Sequence, residues 1–121
     1  MATITGTSGN DKIWGTQRDD LIQGLEGNDY LNGRGGNDKI YGGTGADKLD
    51  GGTGNDWLDG GEGIDALFGG AGSDYLSGGG GGEYLNGATG DDYIIAASFH
   101  GVDKLRGDAG NDWLIGGDGN K

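Results

Sequence analysis

The sequence predicts an all-β fold, a parallel β-solenoid of about six coils, with two nine-residue units forming each 18-residue coil. Three observations predict it. The chain repeats Gly-Gly-x-Gly-x-Asp-x-aliphatic-x with a period of nine residues. The eighth slot of each unit is Ile or Leu, and its two flanking residues must point the other way, as in a very short strand. Glycines in the first, second and fourth slots let the chain bend where a Cβ would clash.

The elements follow in order along the chain, all within a single domain spanning 1–121. Residues 3–5 are the end of a unit, with Ile4 in the aliphatic slot. Ten nonapeptides then run from 6 to 95. Residues 96–97 are an insertion, two further nonapeptides fill 98–115, and 116–121 begin a truncated unit. The aliphatic slot reads Ile13, Ile22, Leu31, Ile40, Leu49, Leu58, Leu67, Leu76, Leu85, Ile94, Leu105 and Leu114. One unit cannot bury its single aliphatic side chain alone, but two opposed units can. All twelve are therefore expected to meet along a central line, with coils stacked about 4.8 Å apart into a rod about 30 Å long.

Composition alone points elsewhere. Gly accounts for 33 of 121 residues, the formal net charge is −12, and Leu, Ile, Val and Phe together number 21. Such a chain ordinarily stays disordered, because it cannot bury enough apolar surface to offset the entropy of ordering. The strict register of the repeat overrules that reading and requires a stabiliser other than a core. Zero Cys excludes a disulfide framework and thiolate metal sites. No apolar run approaches the ~20 residues of a transmembrane helix, and Met1–Thr5 has no features of a signal peptide. A sequence pI near 4.1 disfavours nucleic acid and favours cations.

The sixth slot identifies the stabiliser. With two units per coil, alternate units stack on the same side. One row is then Asp11, Asp29, Asp47, Asp65, Glu83 and Asp103; the other is Asp20, Asp38, Asp56, Asp74, Asp92 and Asp112. Stacked carboxylates repel unless a cation sits between them, and neighbouring pairs in a row can clamp one. Glycine-rich bends add carbonyl oxygens, expected from Gly33, Gly36, Gly42, Gly43, Gly45, Gly51, Gly52, Gly54, Gly60, Gly61, Gly63, Gly69, Gly70 and Gly72. All-oxygen ligation in flexible geometry suits Ca²⁺, whereas Mg²⁺ demands a tighter octahedron. Zn²⁺ would need a His/Cys set that is lacking. Five gaps in each row give an upper bound of about ten sites.

At this point the sequence resembles the RTX (repeats-in-toxin) calcium-binding nonapeptide family, over about residues 3–120. The resemblance implies a right-handed parallel β-roll with Ca²⁺ between turns and the sixth-slot Asp as side-chain ligand. It also implies secretion by a Gram-negative type I exporter, and a neighbouring catalytic or adhesive domain. The expected function is a calcium-binding module that folds outside the cell, as a secretion and folding aid and a scaffold.

Departures from the repeat predict weaker sites. Arg18 replaces the fourth-slot glycine and places a cation near Asp20; Glu83 is a longer ligand in a unit of five glycines; Ser98, Phe99 and His100 replace the opening of their unit. Full sites are expected from Gly33 to Ser77. Catalysis is not expected, since His100 has no nucleophile framework and no Gly-Lys phosphate loop exists. Nine of ten aromatics flank the aliphatic slot, and Trp57, Tyr75, Tyr93 and Trp113 share one outward face. That face is expected to stack along the strand row, with docking of a neighbouring domain, a second copy or a glycan as the alternative. Ice binding would need a Thr-x-Asn ladder, and Thr53/Asn55 is not continued by Gly35/Asn37 or Ala71/Ser73.

Overall fold

The computed structural model describes residues 1–96 and 101–116, and within them every regular element is a strand. One sheet holds β1 (Ala2–Thr5), β3 (Asp20–Gln23), β5 (Lys39–Thr44), β7 (Trp57–Glu62), β9 (Tyr75–Ser77), β11 (Tyr93–Ile95) and β13 (Trp113–Ile115), in that spatial order. The other holds β2 (Lys12–Trp14), β4 (Tyr30–Asn32), β6 (Lys48–Thr53), β8 (Ala66–Ala71), β10 (Tyr84–Thr89) and β12 (Lys104–Arg106). Each step along the chain crosses to the opposite sheet and all pairings are parallel, so the chain winds as a β-solenoid of about six turns.

The register is the sequence period made visible. Ile22 pairs with Ile40 and Leu49 with Leu67, eighteen residues apart. Past the insertion the step becomes twenty, with Leu85 opposite Leu105 and Ile94 opposite Leu114. Ala96 donates its N–H to Ile115 O at 2.8 Å, just as Gly78 donates to Ile95 O one coil earlier. Ala96 thus occupies a first-glycine slot. Ala97, Ser98, Phe99, His100 and most of the 116–121 segment lie outside the described residues.

Strands in the middle of the rod are longer than the expected triplets. β5, β6, β7, β8 and β10 each run six residues, because the first three slots of the next unit also pair, as in Gly43 with Gly61 and Thr44 with Glu62.

Nine aliphatic side chains from Ile22 to Ile94 are fully buried in one line, joined by Ala96. Ile4, Ile13 and Leu105 pack against it while partly exposed. Leu114 is 44% exposed, so the expectation of twelve buried residues is corrected. β13 is the outermost described strand of its sheet, and only one side of Leu114 is covered.

Outside the sheets, Trp57 stacks on Tyr75 with centroids 4.1 Å apart, and Tyr75 on Tyr93 at 5.4 Å. On the opposite sheet Trp14 meets Tyr30 and Phe68 meets Tyr84. There Lys48 Nζ lies 5.4 Å from the Tyr30 ring and 5.6 Å from Phe68, a cation shared by two aromatic faces.

Candidate metal centre

From β2 onward the sixth-slot residue immediately precedes the strand, or opens it at Asp20, so the eighteen-residue register stacks these carboxylates at the two corners of the solenoid. Asp29, Asp47, Asp65 and Glu83 are buried in one row, and Asp20, Asp38, Asp56, Asp74 and Asp92 in the other. Asp11, Asp103 and Asp112, at the row ends, are only partly buried.

One oxygen of each acid except Glu83 is consumed by the fold. Asp20 N–H donates to Asp38 Oδ1, Asp38 N–H to Asp56, Asp56 N–H to Asp74 and Asp74 N–H to Asp92, at 2.7–2.8 Å. Asp92 continues to Asp112 at 2.9 Å. The other row does the same from Asp11 through Asp29 and Asp47 to Asp65, then resumes from Glu83 to Asp103. Glu83 itself accepts none of these bonds: its extra methylene carries both oxygens away from the ladder, and both lack a partner.

The second oxygen is left over. Oδ2 of Asp29, Asp38, Asp47, Asp56, Asp65, Asp74, Asp92 and Asp103 is buried without a hydrogen-bond donor. Burying an anionic oxygen unpaired is strongly unfavourable, and native structures reserve it for sites that a missing partner completes. The glycines explain how it gets there. From Leu25/Gly27 to Asp108/Gly110, every described second- and fourth-slot residue has positive φ. This turn swings the second-slot N–H away from the acid; Arg34, Gly61 and Ala88 give theirs to Asn32, Asp59 and Asn86 Oδ1 in the unit before. At Gly33 the first slot has no room for a side chain: a Cβ there would strike both Asp38 Oδ2 and, at 2.8 Å, Gly51 O of the next coil. The orphaned carboxylate oxygen and a first-glycine carbonyl therefore converge on one spot.

Burial is the main force on the protonation of these acids. It pushes Asp56 up to about 8, Asp65 to about 7, and Asp38, Asp47, Asp74 and Asp92 to about 6. The backbone N–H from the coil before opposes the rise, and the neighbouring carboxylates add to it. Burial likewise raises Asp29, and takes Glu83 to about 8 with help from Asp103. Among the described residues no three acidic or His side chains converge, so a cation here must draw on backbone oxygens as well as carboxylates. That donor set is hard, all oxygen and flexible, and it fits Ca²⁺.

Comparison with protein families agrees. The RTX calcium-binding nonapeptide repeat matches in overlapping stretches, 5–40, 14–49, 33–67, 50–82 and 59–94, and again over 101–120. The chain belongs to the RTX calcium-binding nonapeptide repeat family. It is a calcium-binding repeat module on a β-solenoid, and the Asp rows are the part of this RTX chain that carries the repeat's sixth slot. Neither a curated protein nor a solved structure matches it.

Two features of this RTX chain were not read from the sequence. A second ladder runs along the fifth slot in the opposite sense: Asn55 N–H donates to Asn37 Oδ1 and Ser73 N–H to Asn55 Oδ1, at 2.8 and 2.9 Å. Asn10, Asn28, Asp19 and Asp91 accept in the same way. The recurrence of Asn before Asp was its visible signal. The second feature is in the first two units. Thr7 and Thr16 donate N–H to Asp11 and Asp20 Oδ2, both at 2.6 Å, and their hydroxyls bond the same carboxylates. Arg18 forms no ion pair with Asp20; its N–H donates to Thr16 Oγ1 at 3.0 Å.

Proposed function

We propose that this chain is a non-enzymatic module whose folding is driven by Ca²⁺ held between successive coils. The ligands are the orphaned oxygens of Asp29, Asp47, Asp65, Glu83 and Asp103 in one row and of Asp38, Asp56, Asp74 and Asp92 in the other, with Asp112 closing the latter. First-glycine carbonyls such as Gly42, Gly51, Gly60 and Gly69, and the remaining turn carbonyls from Gly33 to Gly72, complete the shell. Bound Ca²⁺ supplies charge neutralisation and a cross-link between coils; the chain's own residues supply the stacking register.

The observation that carries this reading is the row of buried carboxylate oxygens with no donor. Without a cation they must take protons or repel one another, and one aliphatic residue per unit is too little core to hold them together. Metal binding is then folding free energy. With extracellular-type affinities of about 10⁻⁴–10⁻³ M, the chain stays extended in calcium-poor cytosol and closes outside the cell. This suits an exported protein, for which the module serves as folding aid and scaffold.

The aromatic face supports strand-row stacking over glycan docking. Trp57, Tyr75 and Tyr93 turn ring faces toward one another, with interplanar angles of 23° and 9°, so Tyr75 is covered on both faces and Trp57 and Tyr93 on one each. Ice binding is disfavoured too, since Asn37 and Asn55 use their side-chain oxygens within the fifth-slot ladder.

The deciding experiment is far-ultraviolet circular dichroism of the purified chain in chelator, then with millimolar calcium. A cooperative gain of β signal, reversed by chelator, is expected. A demetallated chain with the same β content would overturn the reading.

A further inference from the structure

We infer, given calcium in the later coils, that the two bends of the first coil close without metal, with Thr7 and Thr16 taking the place of the cation at Asp11 and Asp20. The two kinds of turn differ in backbone as well as in side chains. In the described turns from residue 24 onward the second and fourth slots have positive φ, and Oδ2 of the buried acids is left without a donor. In the two bends of the first coil neither Thr7 nor Gly9, and neither Thr16 nor Arg18, has positive φ. The second-slot N–H consequently points into the turn and reaches Oδ2 at 2.6 Å in both units.

The hydroxyl completes the closure. Thr7 Oγ1 lies 2.9 Å from Asp11 Oδ1 and itself accepts Gly9 N–H at 3.1 Å. Thr16 Oγ1 lies 3.0 Å from both oxygens of Asp20 and accepts Arg18 N–H. Ala2 N–H reaches Asp20 Oδ1 at 3.2 Å. Each of these carboxylates is thus satisfied by two donors from its own turn, as an N-cap side chain satisfies the open end of a helix. It also explains Arg18: a turn without left-handed backbone has no need of glycine in its fourth slot.

Asp11 and Asp20 are therefore positioning residues, not calcium ligands. The metal rows begin at Asp29 and Asp38, and the first coil is a ready-made platform on which calcium-dependent coils stack.

Calcium binding to the full chain, counted by native mass spectrometry and followed by circular dichroism, tests this with calcium chloride as the only ligand. Asp11→Asn with Asp20→Asn keeps one side-chain oxygen for the Thr N–H, with Nδ2 turned to the Thr hydroxyl, and is expected to bind as many ions as the parent. Asp56→Asn is expected to bind fewer. A folded Asp11/Asp20 variant that loses ions overturns the inference while leaving the calcium reading intact. An Asp56→Asn chain with a full complement instead refutes the calcium reading. Should the first variant fail to fold even in saturating calcium, Thr7→Val with Thr16→Val decides. An unchanged ion count with the calcium midpoint raised about 1.5- to 2-fold supports the platform. An unmoved midpoint, or a lower count, overturns it.

Discussion

Protons should partly replace calcium in this solenoid. The perturbation is acidification from about pH 8 to about pH 5 in the presence of chelator. Asp56, pushed from 3.8 up to about 8, is ionised in the unfolded chain at neutral pH but resists ionisation when folded. Each pH unit of such a difference corresponds to at most about 1.4 kcal/mol, and solvent screening removes part of it, so Asp56 opposes the metal-free fold by about 2–3 kcal/mol at pH 8. Asp65, at about 7, acts in the same direction. Against a net stability of about 5–15 kcal/mol for a small domain, that is a large share. The sign follows from the raised values: the folded form holds protons that the unfolded form releases. Stability is therefore fully present below about pH 4 and lost as pH rises through the folded values between about 6 and 8. Circular dichroism in chelator should show β structure gained on acidification, with a midpoint in that window. A chain equally unfolded, or equally folded, at both ends of the titration would refute this account of the carboxylate rows.

Three further outcomes are expected. Asp56→Ala removes an oxygen that accepts from Asp38 N–H and one that lies orphaned, so it should weaken two adjacent gaps, lower the calcium count and raise the midpoint; a midpoint equal to the parent's would contradict that sharing. Leu58→Ala empties a fully buried slot at mid-rod and should cost about 2–5 kcal/mol, read as a higher calcium requirement by dichroism, whereas a loss below about 0.5 kcal/mol would mean that the aliphatic line is not the core. Trp57→Ser with Tyr75→Ser breaks the tightest ring stack and should reduce thermal stability in calcium by about 1 kcal/mol with no change in association state; altered sedimentation would instead mark that face as a contact surface.

Much of this architecture was legible because its two rules are periodic. Ile or Leu in the eighth slot and Asp in the sixth place the core line and the corner rows at once, and the parallel eighteen-residue pairing of Ile22 with Ile40 follows from opposing two units. Contacts invisible to periodicity were not legible. Nothing in the spacing says that Asp38 Oδ1 reaches back to Asp20 N–H, since that depends on the pitch of the corner. Thr7 and Thr16 look like ordinary substitutions in a variable turn, yet they reverse the fate of the second-slot N–H by changing φ. Leu114 obeys the repeat but is half uncovered, because burial depends on neighbouring coils and not on the residue's own slot.

The lengthened lap between Tyr84 and Lys104, and again between Tyr93 and Trp113, has a practical consequence. Both sheets resume alignment after a twenty-residue circuit as readily as after eighteen, so adjacent layers recognise one another by slot identity and ignore contour length. The stretch of sequence between Ala96 and Gly101 is accordingly a natural graft point. An epitope, a cleavage sequence or a fluorophore attachment inserted there should leave the layers on either side in alignment.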